Sequence, residues 1–269
     1  MGRFQQPQQR SLTSRWPLIG GKSCKVSSIW IGRLVPLDYT TNEKRMIVCL
    51  MTCSTTKNFC FLTVDDEEVY VSQVACGPTD TAVVLSDGRC YVSGLNKRGQ
   101  LGIGHKDAVN ELTLLEGIAV QSFALGQSSS AILDQEGELY TFGYGGSALS
   151  GIGQLGHGDG AEYPLPKLVD SVVEDGCYAK QVAVGESHTT VLTTEGEVLT
   201  TGAGSYGRLG NFDTIDQLYL EPVELLTKDV DMIAGGKSFT LALKDGVIHG
   251  WGRNHKGQVR KSCLICPFL

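Results

Sequence analysis

No run of 18 apolar residues occurs in this chain, so nothing in it is long enough for a membrane-crossing helix; the apolar stretch Ile47–Cys53 is far too short. Asn-x-Ser/Thr is missing as well, so nothing in the sequence supports secretion. Helical patterns of about 10 to 15 residues between β-prone runs are lacking, which excludes a parallel α/β fold. The nine cysteines are odd in number and scattered, with no dense, regular frame; they read as free thiols of a reducing compartment. Charged residues make up 19% and hydrophobic ones 41%, a balance that excludes a wholly disordered chain.

Glycine is what the chain has in excess, at 34 of 269 residues. It follows no strict third-residue period, which excludes collagen. It marks short strands and tight turns instead. Four segments align on one another, with a first glycine at Gly77, Gly126, Gly185 and Gly236 in steps of 49, 59 and 51 residues. An acid–glycine pair follows, Asp87-Gly88, Glu136-Gly137, Glu195-Gly196 and Asp245-Gly246. Its glycine lies 11 residues after the first in three copies and 10 in the last. Gly94, Gly143, Gly202 and Gly252 close the next strand, 17 residues after the first glycine in three copies and 16 in the last.

Each copy therefore predicts a hairpin, with the acid–glycine pair as its turn. The strand-closing glycines predict a sharp turn or close approach to a neighbouring unit. Ser122–Leu125 and Gln181–Val184 add a third strand, and the linking stretches Pro166–Val173 and Pro222–Leu226 supply candidates for a fourth. One such sheet cannot bury both faces, but stacked copies bury each other's. A period near fifty residues, all strands, fits small sheets arranged radially.

Val182-Ala-Val-Gly185-Glu-Ser-His188-Thr189-Thr-Val-Leu192, with Gln100-Leu-Gly102, Gln154-Leu-Gly156-His157-Gly158-Asp159 and Tyr206-Gly-Arg-Leu-Gly210, resembles the regulator of chromosome condensation repeat family. The resemblance covers roughly residues 72 to 258. It implies an all-β propeller of four-stranded blades, usually about seven of them. Members of that family include exchange factors for small GTPases, nucleosome-binding proteins, regulatory domains of kinases and ubiquitin ligases, and ciliary scaffolds. Only four copies are visible here, so the expected ring is incomplete or truncated. Arg45–Met51 and Phe59–Val64 are β-prone and suit one degenerate strand pair. The sequence divides into a basic, poorly ordered or degenerate segment over 1–60, propeller repeats over 61–259, and a non-repeat tail over 260–269. The second copy carries an insertion, Gly145–Gly151, whose small, glycine-rich composition predicts a flexible loop rather than the protruding wedge by which family exchange factors contact a GTPase.

Charge divides unevenly. Residues 1–60 hold nine Lys/Arg against two Asp/Glu, so the remainder carries −13 of the net −6. The acidic repeat region argues against nucleic acid as a partner. The basic start has the composition of an organelle presequence, but its glutamines and Pro7 do not suit an amphipathic helix; cytoplasm or nucleus is the expected location.

Motifs of chemistry fail on inspection. Gly235-Gly236-Lys237-Ser238 and Gly20-Gly21-Lys22-Ser23 resemble the end of a phosphate loop, but the glycine that the full motif requires upstream is Asp231 in one and Trp16 in the other. Cys263-x-x-Cys266 is a lone pair, and a structural zinc needs four ligands. Asp65–Glu68 reads as a solvated turn. His188, at a repeat position, reads as a hydrogen-bonding residue within a blade. No catalytic residue, cofactor or metal site is assigned, and an enzyme is not expected. The expected function is a protein-interaction or regulatory scaffold; exchange on a small GTPase and a truncated product without independent activity are the alternatives. Loops carrying Lys97, Arg98, Tyr144, Tyr206, Arg253 and Asn254 recur at one level of the repeat and form the candidate interaction face.

Overall fold

The computed structural model describes residues 29–34, 45–51, 59–64, 69–170 and 178–259. Every sheet is antiparallel. The first has three strands, β1 (Ile29–Leu34), β2 (Arg45–Met51) and β3 (Phe59–Val64), in that order. The two β-prone runs of this region thus gain a third partner. Four further sheets follow, called units 1 to 4. Unit 1 is β4 (Val71–Cys76), β5 (Asp80–Leu85), β6 (Cys90–Gly94) and β7 (Val109–Leu115). Unit 2 is β8 (Val120–Leu125), β9 (Ser129–Asp134), β10 (Leu139–Gly143) and β13 (Tyr163–Leu168), interrupted by a small ribbon of β11 (Gly146–Ser147) and β12 (Gly151–Ile152). Unit 3 is β14 (Ala179–Val184), β15 (His188–Thr193), β16 (Val198–Gly202) and β17 (Gln217–Pro222). Unit 4 has three strands, β18 (Val230–Gly235), β19 (Phe239–Lys244) and β20 (Val247–Gly252). Among the described residues no sheet closes on itself, and the units form part of a propeller.

Two sequence expectations shift. The fourth strands of units 2 and 3 start three and five residues before the predicted stretches, at Tyr163 and Gln217. They pair on one side only, with β10 and β16, and an edge position tolerates Pro164, Pro166 and Pro222 because no neighbour needs their missing N–H. The insertion of unit 2 is ordered as a β-ribbon, with Gly146 opposite Ile152 and Ser147 opposite Gly151.

The short spacing in unit 4 has a geometric cause. Lys244 pairs with Val247 across a two-residue turn in which both Asp245 (φ 53°) and Gly246 (φ 73°) are left-handed. This is the tightest hairpin connection. The other three turns spend one residue more, and only their glycine is left-handed, as at Gly196 (φ 83°).

The cores lie between units rather than within them. Alternate residues of each second strand face opposite neighbours, so Val84 and Ala82 pack with Phe123 and Phe142 of unit 2, while Leu133 and Ala131 of unit 2 pack with Val182 and Val191 of unit 3. Leu192 and Val198 of unit 3 then meet Ile233 and Trp251 of unit 4. Phe123 and Phe142 meet edge to face at 5.8 Å.

Hydrogen bonds repeat at each seam. The turn carbonyls of Gly88, Gly137 and Gly196 accept from the N–H of Val120, Ala179 and Val230 in the next unit. The Ser130, Thr189 and Thr240 hydroxyls donate to the carbonyls of Gln100, Gln154 and Arg208 in the preceding one, at 2.7, 2.7 and 3.4 Å. Gln73 and Gln181 clamp the backbone of Phe123 and Ile233 with both ends of their amides. Beyond unit 4 the pattern stops among the described residues: a Cβ on Gly246 would meet nothing, and Met232 and Val247 are about half exposed.

Candidate functional site

Strand direction sorts the glycines onto two ends. The first strand of each unit runs up to the first glycine, the second returns to the acid–glycine turn, and the third runs up again to the strand-closing glycine. The first and the strand-closing glycines therefore share one end of the propeller, and the acid–glycine turns occupy the other.

Gly77, Gly126, Gly185 and Gly236 line a single axial cavity of about 400 Å³ together with Cys76, Gln127, Glu186 and Lys237. These glycines serve close packing. A Cβ at Gly185 would fall 2.2 Å from the His188 ring, and one at Gly236 would fall 2.2 Å from the Phe239 ring. The strand-closing glycines serve backbone conformation as well. Gly202 has φ 111°, and a Cβ there would lie 2.5 Å from the Ser187 carbonyl oxygen; Gly94, Gly143 and Gly252 repeat both features. Lys237 pairs with Glu186 at 3.1 Å, so the phosphate-loop-like string of unit 4 is a seam contact.

The residue three places after the first glycine is buried in units 1 to 3 and half-buried, as Phe239, in unit 4. His188 is fully buried, and its Nε2 lies 3.0 Å from the Thr240 hydroxyl oxygen. It bridges two units rather than bonding within one, because its strand faces the seam. Burial, aided by Arg208, lowers its pKa to about 3 and keeps it neutral. The same position in unit 1 is Asp80, 4% exposed, neither of whose carboxyl oxygens has a hydrogen-bond partner of good geometry among the described residues. Burial raises its pKa to about 7, against the opposing pull of the Thr79 and Asp80 backbone amides and the Gln100 side chain. Burial prevails, because none of these donors is well aligned on either carboxyl oxygen.

Four of the six loop residues singled out in the sequence meet in pairs across seams. Arg98 of unit 1 lies 4.3 Å from the ring centre of Tyr144 in unit 2, and Arg253 of unit 4 lies 4.8 Å from that of Tyr206 in unit 3. These are one arrangement with its partners exchanged. Arg98 and Tyr206 each precede the glycine of Gly-x-Leu-Gly, whereas Tyr144 and Arg253 each follow a strand-closing glycine. Stacked guanidinium–aromatic contacts of this kind contribute about 0.5–1 kcal/mol at exposed sites. Asn254 serves the loop instead: its Oδ1 accepts from the Val259 N–H, as Asn96 Oδ1 accepts from Leu101 in unit 1. Lys97 is exposed and joins neither pair.

The ribbon stands on the same end. Its base is fixed by Asp216 of unit 3, whose carboxylate accepts from Ile152 N–H at 3.1 Å and from Gly204 N–H at 2.9 Å. Gly153 N–H donates to the Gly145 carbonyl at 2.9 Å and closes the loop. At the tip, Leu149 is fully exposed.

Sequence reasoning missed Asp80, Asp216, Glu162 and the two glutamine clamps. The clamps had a signal, since a glutamine stands four residues before the first glycine in units 1 and 3. The carboxylates had none, because their partners lie in other units. Among the described residues no group of three or more His, Cys, Asp or Glu can hold a metal, and no helix is long and apolar enough to cross a membrane. Of the cysteines, Cys76 and Cys90 lie in the described side chains, and both are free thiols. Cys263, Cys266, Asp65–Glu68 and Gly20–Ser23 lie outside the described residues.

Comparison with known proteins agrees with this architecture. A profile described as "Regulator of chromosome condensation (RCC1) repeat" matches residues 87–133, 136–192 and 195–243, and a second of the same description matches 179–208. Each of the three longer matches starts at the acid of an acid–glycine turn and ends in the second strand of the next unit, so each holds one seam. The Ultraviolet-B receptor UVR8 of Arabidopsis thaliana is 33% identical over 196 residues, 71% of this chain and 43% of its own length. The X-linked retinitis pigmentosa GTPase regulator homolog of Caenorhabditis elegans is 35% identical over 187 residues, 67% of this chain and 13% of its own. Among solved structures, Prp20p of Saccharomyces cerevisiae, described with its binding to Gsp1p and histones, matches with a TM-score of 0.57 at 22% identity, over 70% of this chain and 44% of its own; that likeness is one of fold. The chain thus spans less than half the length of each of these proteins. With the profile matching more than half of the chain in register with its glycines, this protein belongs to the regulator of chromosome condensation (RCC1) repeat family.

Proposed function

We propose that this chain is a non-catalytic protein-interaction module that engages its partner through the loop end of the propeller, and that the partner is a small GTPase. The single observation that carries the reading is the tethered ribbon with Leu149 wholly exposed at its tip. A rigid protrusion carrying an apolar side chain suits insertion into a partner, and insertion beside a bound nucleotide loosens it without covalent chemistry. The GTPase regulator homolog among the relatives, and the Gsp1p binding described for Prp20p, support this choice of partner. A scaffold that binds a protein other than a GTPase is the second reading, and the paired loops of two seams support it equally. Cytoplasm or nucleus is the proposed location, in keeping with the free thiols of Cys76 and Cys90.

The test is release of fluorescent nucleotide from a panel of small GTPases. Stimulated release that Leu149→Asp reduces at least about tenfold, with an unchanged melting temperature, is the expected result. No stimulation across the panel removes the exchange reading and leaves the scaffold.

A further inference from the structure

The two cation–aromatic pairs differ in how their charge is balanced. Arg98 donates to Glu162 at 2.5 Å, and Lys106 bonds the other oxygen of the same carboxylate, so the pair at the first seam is neutralised. The residue equivalent to Glu162 in unit 3 is Asp216, since Tyr163 and Gln217 occupy the same register against Gly143 and Gly202. Asp216 spends its two oxygens on the backbone of Ile152 and Gly204. Glu186, the other acid near Arg208, is paired with Lys237.

Around Tyr206, by contrast, two guanidiniums converge with no carboxylate in direct contact. Arg208 lies 5.7 Å from the ring centre and Arg253 lies 4.8 Å from it, and neither forms an ion pair among the described residues. Arg208 is only 5% exposed, and the other units hold a neutral glutamine at its position: Gln100, Gln154 and Gln258. A buried cation costs free energy that the repeat avoids elsewhere, and here Glu186 and Asp216 offset it through space without forming an ion pair with it. Tyr206 adds a second cost, being a non-glycine residue held at φ 64° with its ring half exposed. Arg253 donates its Nε to His255 at 3.0 Å, which leaves its two terminal nitrogens without a hydrogen-bond partner among the described residues. Guanidiniums outside any ion pair and backbone strain at one exposed spot point to a binding site.

We infer that Tyr206 and Arg253, backed by the charge of Arg208, form a site for a carboxylate of an acidic protein segment. Arg253 and the Tyr206 hydroxyl touch the carboxylate, and Arg208 holds the local potential positive from behind. A short acidic segment suits the site better than nucleic acid. The chain beyond residue 60 carries a formal −13, which repels a long polyanion far more than a single carboxylate held by the Arg253 guanidinium. The inference deepens the proposed partner-binding reading and rests on it only for the biological source of the segment.

The experiment titrates the full chain with a short polyglutamate peptide by calorimetry, with a short DNA duplex in parallel. Arg253→Gln is expected to weaken peptide binding at least about tenfold, the worth of one charge-assisted hydrogen bond. Arg208→Gln, which restores the residue of the other units and so keeps the fold, is expected to weaken it severalfold. Arg98→Gln is expected to leave it within twofold, because Glu162 already neutralises that charge. Failure of the unaltered chain to bind the peptide, an Arg98→Gln effect equal to that of Arg253→Gln, or tighter binding of the duplex than of the peptide overturns the inference. Leu149-dependent nucleotide release in a protein that ignores polyglutamate would sink this inference alone, whereas peptide binding without nucleotide release would count against the GTPase.

Discussion

Replacing Asp80 by asparagine should make the protein more stable above neutrality and leave it unchanged in acid. The carboxyl is 4% exposed, lies over Gly77 and has no well-aligned donor among the described residues, and burial moves its pKa from the ordinary 3.8 to about 7. The folded protein therefore binds this proton more tightly than the unfolded chain. Its contribution is fully present below pH 3.8 and is lost as pH rises through about 7. An interval of roughly three pH units at about 1.4 kcal/mol each amounts to about 4 kcal/mol. His188 works in the opposite sense. Its pKa falls from 6.5 to about 3, so the unfolded chain takes up the proton first, and stability is lost as pH falls below 6.5. The two slopes cancel between about pH 4 and 6.5. In Asp80→Asn only the histidine slope remains. Urea unfolding followed by circular dichroism at pH 8, 6 and 4 measures this. The variant should gain about 4 kcal/mol at pH 8 and converge on the unaltered protein near pH 4. A gain that does not shrink in acid, or none at pH 8, refutes a carboxyl held protonated in the seam.

Two further outcomes test the seams. Gly202→Ala places a Cβ 2.5 Å from the Ser187 carbonyl at φ 111°, and should cost about 1–3 kcal/mol of stability in the same unfolding assay. Gln181→Leu removes both hydrogen bonds to the Ile233 backbone and leaves a buried N–H without a partner, which should cost about 2 kcal/mol, while Met232→Gln at the equivalent position of unit 4 should cost nothing measurable.

Legibility in the sequence followed the range of each interaction. The acid–glycine turns and the strand-closing glycines were readable because each is a local demand of the backbone. The unit 4 turn even registered as a missing residue in the spacing, which a two-residue hairpin explains. Tyr144, Tyr206, Arg98 and Arg253 were placed at one level by counting from glycines, yet counting could not show that an arginine of one unit meets a tyrosine of the next. Asp216 and Glu162 occupy one position of the repeat and do different work, because one faces backbone amides and the other faces cations. The ribbon was misread from its composition. Small residues predict flexibility when nothing holds them, and the tether that holds these comes from 64 residues further along the chain.

That tether has a consequence for how such a protein changes. The ribbon is encoded in one unit and secured by a carboxylate encoded in the next, so neither repeat carries the protrusion alone. Duplication or recombination that moves unit 2 without unit 3 yields a loose glycine-rich loop. The inheritable module is the pair, and a graft of the ribbon onto another propeller needs Asp216 to travel with it.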